Sequence, residues 1–352
     1  MRFENIILDI LRVLPKSVLK LIAGPPLVID GNQLDLNIQV VKKLSEKEMK
    51  KNRITTHDYR ESAKRFDLSG LPRVKKIKIK DIELNGPVET LKARIYYPKF
   101  KSSNDGAILF FHQGGLVLWD HLTNDYFCSL LADKCNAKVI SIDYRLCPEN
   151  EFPAPIEDCL FLWDYVQENS SKLGINPNKI ALSGDSAGGM ISSTMSIILR
   201  DRGGIQPIAM CIAYPWVTSS FDDQPSLQSC ADTFPLSRET IEFFNKSVFP
   251  DGKNLDHRWA NPLYENDLTN LPPTIIATAG FDPIRDQGNS FAEKLISNKN
   301  EVKHYFFSNL SHSFLILGRI SNEANNACIQ LANELAQYFD HISESLKVIP
   351  IL

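Results

Sequence analysis

The stretch Lys179-Ile-Ala-Leu-Ser-Gly-Asp-Ser-Ala-Gly-Gly189 decides the fold. Ile180 to Leu182 reads as a short apolar strand, Gly184 to Gly188 as a tight turn, and a helix starts near Gly189. The turn spells Gly-x-Ser-x-Gly, and a strand before it with a helix after it is the setting that gives this short pattern meaning. A serine on so sharp a turn is driven toward unfavourable backbone angles. Side chains two positions either side would then collide where strand and helix close on each other. Gly184 and Gly188 meet that demand. The turn should hold Ser186 Oγ above the sheet edge, with the Ala187 N–H pointing into the same space at the positive end of the new helix.

Working outward, short apolar runs recur at Ala107–Phe111, Lys138–Ile142, Ile208–Ala213 and Thr274–Thr278, as expected of strands buried on both faces. Val302–Phe307 completes the later set, and Val74–Leu84 with Leu91–Tyr97 reads as an antiparallel meander turning at Asn85-Gly86-Pro87. Helical stretches fall between most of the later strands: Asn124–Lys134, Ile156–Asn169, Gly189–Arg200 and Gln287–Asn298. The alternation predicts an α/β fold, an eight-stranded, mostly parallel sheet led by an antiparallel pair. The interval from Val217 to Pro272 is too long for a plain connection and holds helical material at Ser237–Val248, so it reads as an insertion above the strand ends. Residues 1–72 read as a separate helical region. It comprises an amphipathic helix closed by Pro15, a second across Leu34–Met49, and a third from Thr55 to Asp67 with Thr55 and Asp58 as its capping box.

A chain of 352 residues can bury a large core as one big α/β domain with an insertion. Its net charge of −3 gives no electrostatic case for nucleic acid or an acidic membrane surface. The Lys75–Lys80 run alternates with Ile77 and Ile79 and reads as a solvated strand face. The seven cysteines are odd in number and lack a Cys-x-x-Cys pair, and several sit in apolar segments. They read as buried free thiols in a reducing, cytoplasmic setting. Metal-ligand spacing and a membrane-spanning apolar window are both missing from the sequence, and Glu4 and Asp9 break what could pass for a leader.

A serine hydroxyl needs a base to act as a nucleophile at neutral pH, and the base needs an orienting carboxylate. Asp282 follows the strand ending at Gly280, in a sharp Gly-Phe-Asp-Pro turn, and His312 follows the last strand. His304 lies inside a strand, while His57, His121, His257 and His341 lack a matching context. Asp286 is a rival acid, better suited to a helix-terminal ion pair or cap. Phe111-His112-Gln113-Gly114-Gly115 leaves a buried strand. Its paired glycines let the N–H groups of Gly114 and Gly115 approach a substrate oxygen, with Ala187 as third donor of an oxyanion hole. His112 reads as a prop for that loop.

Taken together, His112-Gln-Gly-Gly115 with Asp120, Ser141-Ile-Asp-Tyr-Arg-Leu-Cys-Pro-Glu149, Phe152-Pro-Ala-Pro-Ile-Glu-Asp158, Gly184-Asp-Ser-Ala-Gly-Gly189, Asn261-Pro-Leu-Tyr264 and Ala279-Gly-Phe-Asp-Pro-Ile-Arg-Asp286 resemble the hormone-sensitive-lipase group of α/β-hydrolase esterases. The pieces come in the family's order, across residues 75 to 320. The resemblance implies a catalytic domain over residues 73–352, with a cap built from the N-terminal helices and part of the 217–272 insertion. It implies a triad of Ser186, Asp282 and His312, and hydrolysis of small carboxylic esters without a cofactor. It also allows a homodimer. A receptor-like small-molecule binder on the same fold stays open, as does an amide or thioester hydrolase, because the machinery is shared.

Three departures stand out: Gln113 replaces the first glycine of the family's His-Gly-Gly-Gly, Ser313 the glycine after the base, and Cys147 an alanine. Tyr144-Arg145 and Glu157-Asp158 are expected to form structural ion pairs and helix contacts behind the catalytic loops.

Overall fold

In a computed structural model of the chain, the residues described are 14–49, 55–65, 74, 77–99, 105–220 and 224–345. A two-residue-turn hairpin, β1 (Val28–Ile29) and β2 (Asn32–Gln33), precedes eight strands that form one sheet. These are β3 (Lys78–Asn85), β4 (Thr90–Tyr97), β5 (Ala107–Phe111), β6 (Lys138–Ile142), β7 (Ile180–Asp185), β8 (Met210–Ala213), β9 (Thr274–Phe281) and β10 (Val302–Ser311). Their spatial order is β10-β9-β8-β7-β5-β6-β4-β3. The pairs β3/β4 and β4/β6 are antiparallel and the rest parallel.

The continuous apolar runs follow from burial on both faces. Ile108 and Phe110 of β5 face one side, packing with Phe127, Leu131, Leu331 and Leu335. Leu109 and Phe111 face the other, against Ile156, Leu160, Ile191 and Met195. The covering helices are α4 (Asp125–Lys134) and α12 (Asn322–Ser345) on the first face, and α5 (Ala154–Glu168) and α7 (Ala187–Arg202) on the second. Between them in sequence lie α6 (Ser170–Leu173), α8 (Pro225–Ser229), α9 (Arg238–Val248), α10 (Arg285–Ser297) and α11 (Phe314–Leu317).

Register sets the level at which each loop leaves the sheet. Phe111 of β5 pairs with Gly184 of β7, and Asp185 pairs with Ala213 of β8. Phe281 of β9 pairs with Ser311 of β10 after a register shift beyond Phe307. At that irregularity a side chain on Gly280 would strike the Ser308 carbonyl, so glycine is what lets the two strands close. The residues that follow these strand ends, His112, Ser186, Tyr214, Asp282 and His312, therefore emerge along one edge.

The N-terminal region differs in part from what the sequence predicts. The first predicted helix falls mostly on residues 1–13, which lie outside those described. Whether Pro15 closes that helix lies with those residues; among the described ones Pro15 directly precedes α1 (Lys16–Ala23), an additional helix that it caps with φ −56°. The second helix, α2 (Leu36–Met49), begins two residues late because Asp35 Oδ1 accepts from the N–H groups of Asn37 and Ile38, which makes Asp35 the cap. The third, α3 (Thr56–Arg65), has the predicted capping box: the Asp58 N–H donates to Thr55 Oγ1 at 3.2 Å and the Thr55 N–H to Asp58 Oδ2 at 2.9 Å. The 24-residue α12 had no counterpart in the sequence reading.

The expected ion pair behind the loops is present. Arg145 donates from its backbone N–H and from Nε and Nη2 to the Asp158 carboxylate at 2.7–3.0 Å, with Glu157 at 3.6 Å. Asp158 is fully buried, so Asp158→Ala strands a buried guanidinium and should destabilise the fold by about 3–5 kcal/mol in urea unfolding. A loss under about 1 kcal/mol contradicts this role.

Candidate active site

Ser186 alone makes the turn between β7 and α7, which is tighter than the sequence predicts. Its φ of 52° and ψ of −115° leave the ordinary basins. The Ser186 N–H donates to the Ala213 carbonyl at 3.0 Å, and its own carbonyl accepts from Gly189, Met190 and Trp216. A Cβ on Gly188 would collide with the Phe111 carbonyl, and one on Gly184 with the Gly188 carbonyl. Both glycines are thus required by close backbone approach, as the motif predicts.

The structure brings the three predicted side chains together. His312 Nε2 lies 3.0 Å from Ser186 Oγ, and His312 Nδ1 lies 2.9 Å from Asp282 Oδ2. All three are buried, with Ser186 7% exposed. Asp282 is held in turn by the Ile284 N–H on its Oδ1 at 3.0 Å. The rival Asp286 is engaged elsewhere: its Oδ2 accepts from the Ser226 N–H at 2.7 Å, and Oδ1 faces Arg285.

The 114–115 loop takes conformations that favour glycine, with φ of 121° at Gly114 and 62° at Gly115. Gly115 and Ser186 line one pocket together with Trp216, Leu236, Ile241, Phe244 and Ile284. The Phe244 ring from α9 presses on Gly115 so closely that a Cβ there would collide with it. Ala187, the third predicted donor, is the first residue of α7. Tyr59 of α3 stacks on Phe243 with centroids 3.6 Å apart, and Arg60 Nε donates to the Val117 carbonyl at 3.0 Å. The N-terminal helix therefore touches both the α9 segment and the glycine loop.

His112 behaves as a prop. Its ring stacks on Tyr144 at 4.2 Å, Nδ1 meets the Gln113 carbonyl at 2.6 Å, and burial holds its pKa below the ordinary value.

The sequence reading missed the residues beneath this edge. Asp185, fully buried, accepts at Oδ2 from Asn124 Nδ2 and from the Tyr214 hydroxyl, both at 2.9 Å. Tyr214 Oη also accepts from the Leu315 N–H at 3.2 Å, and its ring lies 4.7 Å from that of His312. A carboxylate inside the turn motif was the visible signal; its partners, 61 and 29 residues away, were not. Burial pushes the Asp185 carboxyl up to about 7, against the pull of the Asn124 and Tyr214 hydrogen bonds.

Comparison with known proteins places the chain. A family profile described as the alpha/beta hydrolase fold matches residues 108–316. The carboxylic ester hydrolase LipN of Mycobacterium tuberculosis is 30% identical over 337 residues, 91% of this chain and 87% of that protein. An arylesterase of Saccharolobus solfataricus is 33% identical over 73% of this chain and 81% of its own. Among solved structures, an ester hydrolase from the metagenome of Lake Arreo, complexed with a bipyridine phosphonate derivative, superposes with a TM-score of 0.81. It is 27% identical and covers 87% of this chain and 99% of that one. The chain belongs to the α/β-hydrolase family, in its hormone-sensitive-lipase-like carboxylesterase group.

The raised carboxyl makes a pH prediction. Asp185 ionises near 3.8 ordinarily and near 7 in the fold, so the native state holds the extra proton between those values. Its contribution to stability is therefore full below about pH 4 and is lost as pH rises through 7. The stability of the wild type relative to Asp185→Asn, from urea unfolding, should fall across that window. A pH-independent difference contradicts the assignment.

Proposed function

We propose that this chain is a serine carboxylic-ester hydrolase working through an acyl-enzyme on short- to medium-chain esters. The observation that carries the reading is the His312 imidazole bridging Ser186 Oγ at 3.0 Å and the Asp282 carboxylate at 2.9 Å. In the neutral tautomer Nδ1–H donates to Asp282, leaving Nε2 to accept the Ser186 proton. Ser186 Oγ attacks the ester carbonyl carbon while its proton passes to His312 Nε2. The N–H groups of Gly114, Gly115 and Ala187 take the developing oxyanion. The tetrahedral adduct collapses, the C–O bond to the alcohol breaks, and His312 returns the proton to the leaving oxygen. Water then attacks the acyl-enzyme, losing its proton to the same nitrogen; the acyl C–Oγ bond breaks, His312 Nε2 returns that proton to Ser186 Oγ, and the carboxylic acid leaves.

The residues lining the pocket beside Ser186 support an apolar, size-limited substrate. Leu236, Ile241 and Phe244 come from the 217–272 insertion, and Trp216 and Ile284 close the sides. We read α3 and this insertion as the cap over a catalytic domain spanning residues 73–352; the Tyr59–Phe243 stack supports that division. The seven free, buried cysteines support a cytoplasmic, reducing setting. Among the described residues no helix is long and apolar enough to cross a membrane.

Hydrolysis of p-nitrophenyl esters graded by acyl length tests the reading. Ser186→Ala and His312→Ala should each lower kcat about a million-fold, some 8 kcal/mol, and Asp282→Ala about ten-thousand-fold. Retained activity in either of the first two rules out the assignment. Phe244→Ala should shift the preference toward longer acyl chains by opening the space above Gly115. An unchanged length profile excludes Phe244 as the limit.

A further inference from the structure

Two of the three departures from the family pattern meet in space. Ser313 Oγ donates to Gln113 Oε1 at 2.6 Å, across 200 residues of sequence. Gln113 is wholly buried and Ser313 is 1% exposed, so water does not compete for either group. Gln113 Nε2 finds no hydrogen-bond partner among the described residues. The contact to Ser313 is therefore what holds the side chain in its orientation.

The two residues sit next to the chemistry on opposite sides. Gln113 immediately precedes Gly114 and Gly115. Ser313 immediately follows His312 and adopts φ 63°, ψ 22°, a left-handed conformation that glycine takes more readily. A serine kept in that conformation, with its hydroxyl committed to a buried amide, exchanges backbone ease for a tie between two loops. The Ser313 carbonyl also accepts the Ile316 N–H at 3.2 Å, so the tie reaches the first turn of α11.

We infer that Gln113 and Ser313 form a clamp that fixes the loop carrying His312 to the loop carrying Gly114 and Gly115. They are positioning residues: the clamp sets the separation between the base and the oxyanion donors, without touching the reacting atoms. The inference rests on the triad reading above. Its consequence is that neither residue can be replaced alone without effect, because each leaves the other's buried polar group unpaired.

The test is a double-mutant cycle of Gln113→Gly, Ser313→Gly and the double variant, with Ser186→Ala alongside. Turnover of p-nitrophenyl acetate is measured per folded molecule, together with thermal unfolding. Each single variant should lose about tenfold or more in kcat with little change in KM, since loosened geometry affects the transition state. Ser313→Gly should lower the unfolding temperature less than Gln113→Gly does, because glycine's relief of the positive φ offsets part of the cost of the unpaired amide. The double variant should be no slower than the worse single. Losses that multiply to about a hundredfold mean two independent effects and overturn the clamp. So does a fall in unfolding temperature with kcat and KM unchanged, which is a purely structural role. Retained activity in Ser186→Ala overturns the triad reading and the clamp with it, whereas an inactive Ser186→Ala beside unaffected single variants removes the clamp alone.

Discussion

The site depends on a close approach of backbone to backbone. Strand β7 and helix α7 share a single turning residue, and the β5 strand end passes so near that Phe111 and Gly188 leave no room for a Cβ between them. Everything else follows from satisfying that crowding. Glycine is required at two positions, Ser186 is forced to positive φ, and its hydroxyl is lifted clear of the sheet. The Ser186 N–H and carbonyl are each paired, so the unusual angles are held by several bonds to neighbouring segments.

Parallel register then delivers the partners. Because β9 and β10 end opposite one another beyond the β8 edge, Asp282 and His312 rise to the level of the serine without a long loop. Such placement at strand carboxyl ends is where open α/β sheets expose their sites. Polar groups beneath the edge, Asp185 with Asn124 and Tyr214, form a buried hydrogen-bonded floor on which the turn and the His312 loop both sit. A floor of this kind gives rigidity only while its members stay paired.

Much of this was legible in the sequence, because its signals are local. The Gly-x-Ser-x-Gly turn, the short apolar strands and the Thr55–Asp58 capping box each occupy a few adjacent residues, and Asp282 and His312 each stand directly after a readable strand. Where reading failed, the cause was either competition between local rules or distance. The helix after Pro15 was not read, although Leu19 and Ala23 pack into the core from it. The Asp30-Gly31 turn was a readable hairpin signal, with φ of 50° and 76°, that the helical pattern around it hid. The partnership of Gln113 with Ser313 joins residues 200 positions apart, which no local signal in the sequence could show.

The account stands or falls on Ser186 being the atom that takes the acyl group. Covalent capture with a fluorophosphonate, followed by peptide mapping, measures this most directly. The expected result is one adduct on the peptide carrying Ser186, formed at least about a hundredfold more slowly in His312→Ala. A folded protein that stays unlabelled, or carries its adduct on another residue, contradicts it.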